Sequence, residues 1–172
     1  ALDALVENVI DSVKNEGARI IILDDYEFSK DKKVIPMAMA IGRLNIALLK
    51  AKVRHLASMV AVTGEVHDSH SAAVLIGYGA NAIHPKLLAE TVIEHTNRSK
   101  AITFECNIAL KSVHAALNAG ILKIMSKMGI STIASYRNAG LFDVIGLNRK
   151  IVEECFATSN SALDGLDYAD IE

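Results

Sequence analysis

The chain has 172 residues, enough for one well-cored domain and too few for two comfortable ones. Its hydrophobic share of 51% lies on the apolar side for a soluble protein, while a charged share of 22% argues against disorder. A net charge of -2 gives no electrostatic reason to expect nucleic acid or an anionic membrane surface as partner.

Leu2, Leu5, Val6, Val9, Ile10 and Val13 mark one face of an opening helix that Gly17 ends. Residues 19–23 read as a near-continuous apolar strand, as expected where both faces are covered, running into Asp24 and Asp25. Residues 26–33 read as a solvated loop, and Pro36 suits the first position of a helix reaching about Ala51. A second strand over 58–62 is followed by the polar segment 63–70. Residues 71–76 fit helix and strand alike. Residues 80–83 read as a short third strand, and Pro85 opens a helix to about His95, broken by Asn97, Arg98 and Ser99. Two helices, over 100–117 and 121–128, come next. Gly129 stops the second because glycine takes a positive φ at no steric cost, and the β-branched run 130–133 reads as a buried fourth strand. Helices over 138–145 and 148–156 and a polar tail over 159–172 complete the chain. This alternation predicts an α/β fold in a single domain over 1–172, with parallel βα units forming an open or partly closed, barrel-like sheet covered by helices. Four strands are too few for a closed eight-fold barrel.

The segment Gly77-Tyr78-Gly79-Ala80-Asn81-Ala82 formally matches a dinucleotide fingerprint. Pro85 comes too early for those glycines to open a long helix, so a close-packed turn is the better reading. Glu65, His67, Asp68 and His70 are the densest set of possible metal ligands. No further strong ligand stands at a recognised spacing, and Asp68 suits the N-cap of the segment that follows. Lys127, near a helix end, complements the helix dipole or meets an anionic ligand or partner domain. Ser131, Thr132, Ser135, Tyr136 and Arg137 supply hydroxyls and one bidentate donor, without an acid–base partner nearby in sequence. Cys106 reads as a small buried hydrophobe, and the acidic neighbours of Cys155 raise its pKa. Two cysteines so far apart make neither a cluster nor a disulfide framework, which makes a reducing cytoplasm the default. No apolar run reaches the length of a membrane span and no signal peptide opens the chain. The chain starts in a helical pattern without an initiator Met, which suggests a piece cut from something longer.

Taken together, several motifs resemble one family. They are Gly64-Glu65 with His70, Leu75-Ile76-Gly77-Tyr78-Gly79-Ala80-Asn81-Ala82-Ile83, and Gly120-Ile121-Leu122-Lys123-Ile124-Met125-Ser126-Lys127-Met128-Gly129-Ile130-Ser131-Thr132. Ser135-Tyr136-Arg137, Leu141-Phe142 and Ile145-Gly146-Leu147 continue in order, and Arg19-Ile20-Ile21-Ile22-Leu23-Asp24 with Val34-Ile35-Pro36 lies upstream. The resemblance is to the large (alpha) subunit of glutamate synthase, in the later part of its central domain. It implies a parent enzyme in which an amidotransferase domain releases ammonia from glutamine. An FMN and iron–sulfur domain then adds the ammonia to 2-oxoglutarate and reduces the imine to L-glutamate, with electrons from NADPH, NADH or ferredoxin. The central domain connects the two and helps wall the ammonia passage. The partners implied are the amidotransferase and FMN domains of the same chain and a small reductase subunit, with no nucleic acid and no membrane.

The nucleophilic N-terminal Cys, a closely spaced trio of cluster cysteines and the FMN motifs are absent here. The resemblance therefore carries no catalytic, cofactor-binding or metal residue onto this chain. His67 replaces the usual Arg, Ser71 a second His, Lys86 a Tyr, and Asn138 and Gly140 the common Gly and Gln. The reading is a non-catalytic scaffold and domain-coupling fragment of a cytoplasmic glutamate synthase. A free-standing nucleotide-binding module and a small metalloenzyme are the alternatives. Glu65, His70, Lys127, Gly129, Ser131, Ser135, Tyr136 and Arg137 are the candidate structural or interface residues. Glu65 and residues 135–137 are expected on one contiguous polar edge with Arg137 at its centre, or with Arg137 paired to Glu65 or Asp24.

Overall fold

In the computed structural model, which describes residues 1–26, 33–98 and 105–171, two small parallel sheets are flanked by helices. The first has the order β1 (Ile20–Asp24), β2 (Ser58–Thr63), β3 (Ala82–Pro85). Ile20 pairs with Ser58, Asp24 with Val62, Val60 with Ala82, and Thr63 with Pro85. The connections carry α2 (Met37–Lys50) and α3 (Ser69–Tyr78), as parallel pairing requires. α1 (Leu2–Lys14) precedes this sheet, and α4 (Lys86–Arg98) and α5 (Cys106–Lys127) follow it. A single-turn helix, α6 (Ile133–Tyr136), leads to the second sheet. There β4 (Asp143–Leu147) pairs with β5 (Asn160–Leu166) across α7 (Arg149–Cys155), and α8 (Tyr168–Ile171) follows. The α/β class and parallel pairing match expectation; the strands form two open sheets, and neither closes into a barrel.

The main core lies on one face of the first sheet. Ile21, Leu23, Met59 and Ala61 meet Ile41, Leu44 and Leu48 of α2 and Val9 and Val13 of α1. Each Val, Leu, Ile or Met side chain of this set taken out of water stabilises the fold by about 1.5–3 kcal/mol. On its far side α2 packs against α7, whose Ile151, Val152, Cys155 and Phe156 join the same core. That approach is backbone-close: a Cβ on Gly42 would sit 1.9 Å from the Cys155 carbonyl oxygen. A smaller cluster, Ala73, Met125 and Tyr136, joins α3, α5 and α6.

Among the described residues, the opposite face of the first sheet is open at β1. Ile20 and Ile22 are 64% and 63% exposed, and Val60 and Val62 beside them are only partly buried. The expectation that β1 is covered on both faces holds for one face alone.

Other expectations are corrected too. The open segment 71–76 is helix α3, and the third strand lies two residues later than predicted. One helix, α5, runs where two were expected; residues 100–104 of that prediction, like Ser99 of the predicted break and 27–32 of the predicted loop, lie outside the described residues. At 22 residues α5 is also long and apolar enough to cross a membrane by length and composition, against the reading that no run reaches that length. Gly129 does close it, at φ +70°, with Gly129 N–H on the Ser126 carbonyl and Ile130 N–H on the Met125 carbonyl, a Schellman cap. The run 130–133 is not a strand. Thr132 is extended, and its Oγ1 accepts from Ser135 N–H at 3.3 Å, making it the N-cap of α6. A β-branched run with no partner to pair with yields to a local cap. The helix expected over 138–145 is instead a turn followed by β4, and the polar tail holds β5 and α8.

Candidate functional site

At the C-terminal end of β1 and β2 the acidic groups are tied into the backbone. Asp25 accepts from Gly64 N–H at 3.1 Å and from the Thr63 hydroxyl. Thr63 Oγ1 in turn accepts from Glu65 N–H at 3.0 Å. Both carboxylate oxygens of Glu65 accept from Met37 N–H at 3.1 Å. Pro36 stands at the N-cap of α2, one residue before its expected position, and makes no side-chain cap. Glu65 supplies that missing cap from 28 residues away, where an anion also meets the favourable end of the helix dipole. Burial of its carboxyl end pushes its pKa up, the Met37 N–H pulls it partly back, and nearby Asp25 adds to the upward push.

The neighbouring candidates are dispersed. Asp68 caps α3, accepting from Ser71 N–H at 2.7 Å, as its position predicts. His70 sits edge-on to Phe142 with ring centroids 6.2 Å apart, and His67 is exposed. Among the described residues no three His, Cys, Asp or Glu side chains converge as metal ligands. Cys106 lies part-buried on α5 and Cys155 is buried on α7. Burial pushes the Cys155 thiol up, with Glu154 adding a smaller push against Tyr168 and Arg43. Gly77 and Gly79 stand at the C-terminal end of α3, the carbonyl end, where the dipole repels a phosphate.

Arg137 lies elsewhere. It lines an open pocket of about 660 Å³ with Asn45, Lys52, Arg54, His55, Ala57, Ser58, Asn81 and Asn138. Ala57 precedes β2 and Ser58 begins it, whereas Glu65 follows its end; six residues of strand separate the two by about 20 Å. The single polar edge expected for Glu65 and Arg137 is thus overturned, as is pairing of Arg137 with Glu65 or Asp24. The reason is that 130–133 forms no strand of this sheet, so residues 135–137 are not at its C-terminal end.

The pocket wall is firmly built. Arg54 donates to Asn45 Oδ1 at 2.8 Å, the Ala57 carbonyl at 2.7 Å, the Gly79 carbonyl at 2.8 Å and Asn81 Oδ1 at 3.0 Å. Asn45 Nδ2 donates to Asn138 Oδ1 at 2.7 Å. Burial lowers the Arg54 pKa, and the charge of Arg137 lowers it further. The Arg137 Nε is buried with no hydrogen-bond partner among the described residues. Tyr136, beside it, is fully buried and its hydroxyl is likewise unpartnered there. Ser131 is exposed next to the α6 cap, Ser135 belongs to that cap, and Lys127 is the exposed last residue of α5. Sequence reading named Arg137 but missed Arg54, Lys52 and Asn45; their spacing in sequence carries no sign that they meet.

Comparison with known proteins supplies the family. The family model of the glutamate synthase central domain matches residues 1–148. A ferredoxin-dependent glutamate synthase 2 of Synechocystis sp. is 36% identical over 184 residues, covering 99% of this chain and 12% of that protein. The glutamate synthase [NADH] of Saccharomyces cerevisiae is 34% identical, covering 90% of this chain and 8% of that protein. The glutamate synthase [NADPH] large chain of Bacillus subtilis is 33% identical, covering 91% and 10%. The chain thus spans about a tenth of the length of these curated relatives. With the domain match over residues 1–148 and relatives aligned along nearly its whole length, the chain belongs to the glutamate synthase central-domain family.

Proposed function

We propose that this chain is the later part of the central domain of a glutamate synthase large chain, read as one domain, and acts as a scaffold in a cytoplasmic oxidoreductase. In that parent it links the amidotransferase and FMN domains and helps wall the passage along which glutamine-derived ammonia reaches 2-oxoglutarate. A small reductase subunit belongs to the same assembly. The observation that carries this reading is the face of the first sheet that is open at β1 among the described residues. Parallel sheets are covered on both faces, yet Ile20 and Ile22 stand exposed here. Another part of a much longer parent is the natural cover. Relatives named for ferredoxin, NADH and NADPH match at 36%, 34% and 33%, which supports a role common to all three rather than one tied to an electron donor.

The residues of this chain do not fit the cofactors of such a parent. An iron–sulfur cluster takes at least three closely placed thiolates, and the chain has two cysteines, on separate helices. The paired glycines that resemble a phosphate cradle lie at the wrong end of their helix. Flavin and cluster are therefore assigned to other parts of the parent. The test is Ile22→Lys in the full-length enzyme. Glutamine hydrolysis is expected to persist while glutamate formation falls several-fold and ammonia escapes. Unchanged coupling of the two activities overturns the reading.

A further inference from the structure

We propose that the pocket at the start of β2 is an oxyanion-binding site, taking the carboxylate or phosphate group of a small ligand between Arg137, Lys52 and Arg54. Eleven residues line it, including two arginines, a lysine and a histidine, and none is Asp or Glu. That segregation is local, because the whole chain has 20 acidic residues against 18 Lys and Arg. Arg43, Arg98 and Arg149 each find a carboxylate within 4 Å. Arg54 instead has four neutral acceptors, so its geometry is fixed and its charge is left unbalanced. Arg137 lines the same pocket, and its Nε is buried with no hydrogen-bond partner among the described residues. Neighbouring guanidinium charges without an anion repel; an oxyanion between them removes that repulsion and offers bidentate acceptors to a planar fork.

The backbone points the same way. The two non-glycine residues with positive φ among the described residues are Lys52, at 61°, and Asn138, at 59°, and both line this pocket. Lys52 occupies the left-handed position of the Schellman cap that closes α2, with its N–H on the Leu49 carbonyl and Val53 N–H on the Leu48 carbonyl. Glycine would take that position without strain. A lysine there sets a cation at the pocket rim at the expense of backbone comfort, the pattern expected where function competes with stability.

The test titrates the 172-residue chain at low ionic strength with inorganic phosphate, with succinate and with chloride as control, read by backbone amide shifts and calorimetry. Saturable one-site binding of phosphate or succinate, with shifts centred on residues 52–58 and 134–138, is expected; which of the two binds more tightly identifies the source of the oxyanion. Arg137→Gln and Lys52→Gln are each expected to weaken binding by about tenfold or more, the loss of one charge-assisted contact. Arg98→Gln, on exposed α4, leaves it unchanged. Lys52→Gly separates binding from architecture: it raises the melting temperature, by relieving the left-handed lysine, while it weakens binding. Should Arg137→Gln fail to fold, the two Lys52 variants carry the decision. Non-saturating responses to both anions, or Lys52 variants that bind like the parent chain, overturn the site.

Discussion

Glu65 shows how one side chain can hold two elements in place while its surroundings work against its charge. It caps α2 through Met37 N–H, yet burial and Asp25 raise its pKa above the ordinary value of 4.5. A raised folded-state pKa means the fold prefers the protonated acid. That preference contributes stability fully present below the unfolded value and lost as pH rises through the folded one. Glu65 therefore adds a downward slope to stability as pH climbs from 4.5 upward. Glu65→Gln keeps an acceptor for Met37 and cannot ionise, so its unfolding free energy is expected to fall less than that of the parent chain across this window. Chemical denaturation at a series of pH values reads the difference directly. Parallel pH profiles for the two proteins would show that the carboxylate is ionised as freely folded as unfolded. Tyr136 illustrates the opposite case, a residue whose buried hydroxyl is a cost with no visible return, and the structure explains its aromatic ring but not its oxygen.

Between elements the tightest constraint is the contact of α2 with α7. Gly42 has the Cys155 carbonyl 1.9 Å from where its Cβ would lie, and that oxygen is backbone, so it cannot swing aside. Gly42→Ala is expected to lose on the order of 1–3 kcal/mol by overpacking, against the roughly 1 kcal/mol that alanine's better helix propensity returns, and the 1.9 Å approach to a backbone oxygen puts the loss at the upper end. Equilibrium denaturation measures the net. A stabilised variant would mean α7 shifts freely and the second sheet docks loosely. This contact was not legible in the sequence, where Gly42 is one small residue inside an apolar helix. What was legible followed from local chemistry: the face of α1, the apolar run of β1, the cap at Asp68 and the stop at Gly129 each report a short-range rule. What failed depended on partners far away. Residues 130–133 have strand composition but no strand to pair with. β5 is exposed along its whole length, so no alternation marked it, and β4 pairs with β5 alone among the described residues. The basic pocket was hidden for the same reason: α2 and its C-cap, the start of β2, and the chain around α6 meet only once folded.

At the scale of the molecule, the uncovered sheet face makes a claim about the chain by itself. β1 is an edge strand, pairing only with β2 among the described residues, and its Ile20 and Ile22 project into solvent beside Val60. An open edge next to an apolar face is a template for unwanted association unless something covers it. The isolated chain is therefore expected to self-associate as its concentration rises. Ile22→Lys places a charge on the open face, the same device natural edge strands use against pairing, and should return the chain to monomer. Since Ile22 is largely exposed, the substitution is expected to change folding stability by no more than about 0.5 kcal/mol. α5 offers a rival surface, with Ile108 52% and Leu122 64% exposed. Sedimentation of the two variants separates them. If Leu122→Lys rather than Ile22→Lys abolishes association, α5 is the sticky surface and the sheet face is tolerated bare. If Ile22→Lys gives monomers in isolation and uncouples the two activities in the full-length parent, one face accounts for both, and the cover missing from this chain lies in the rest of that parent.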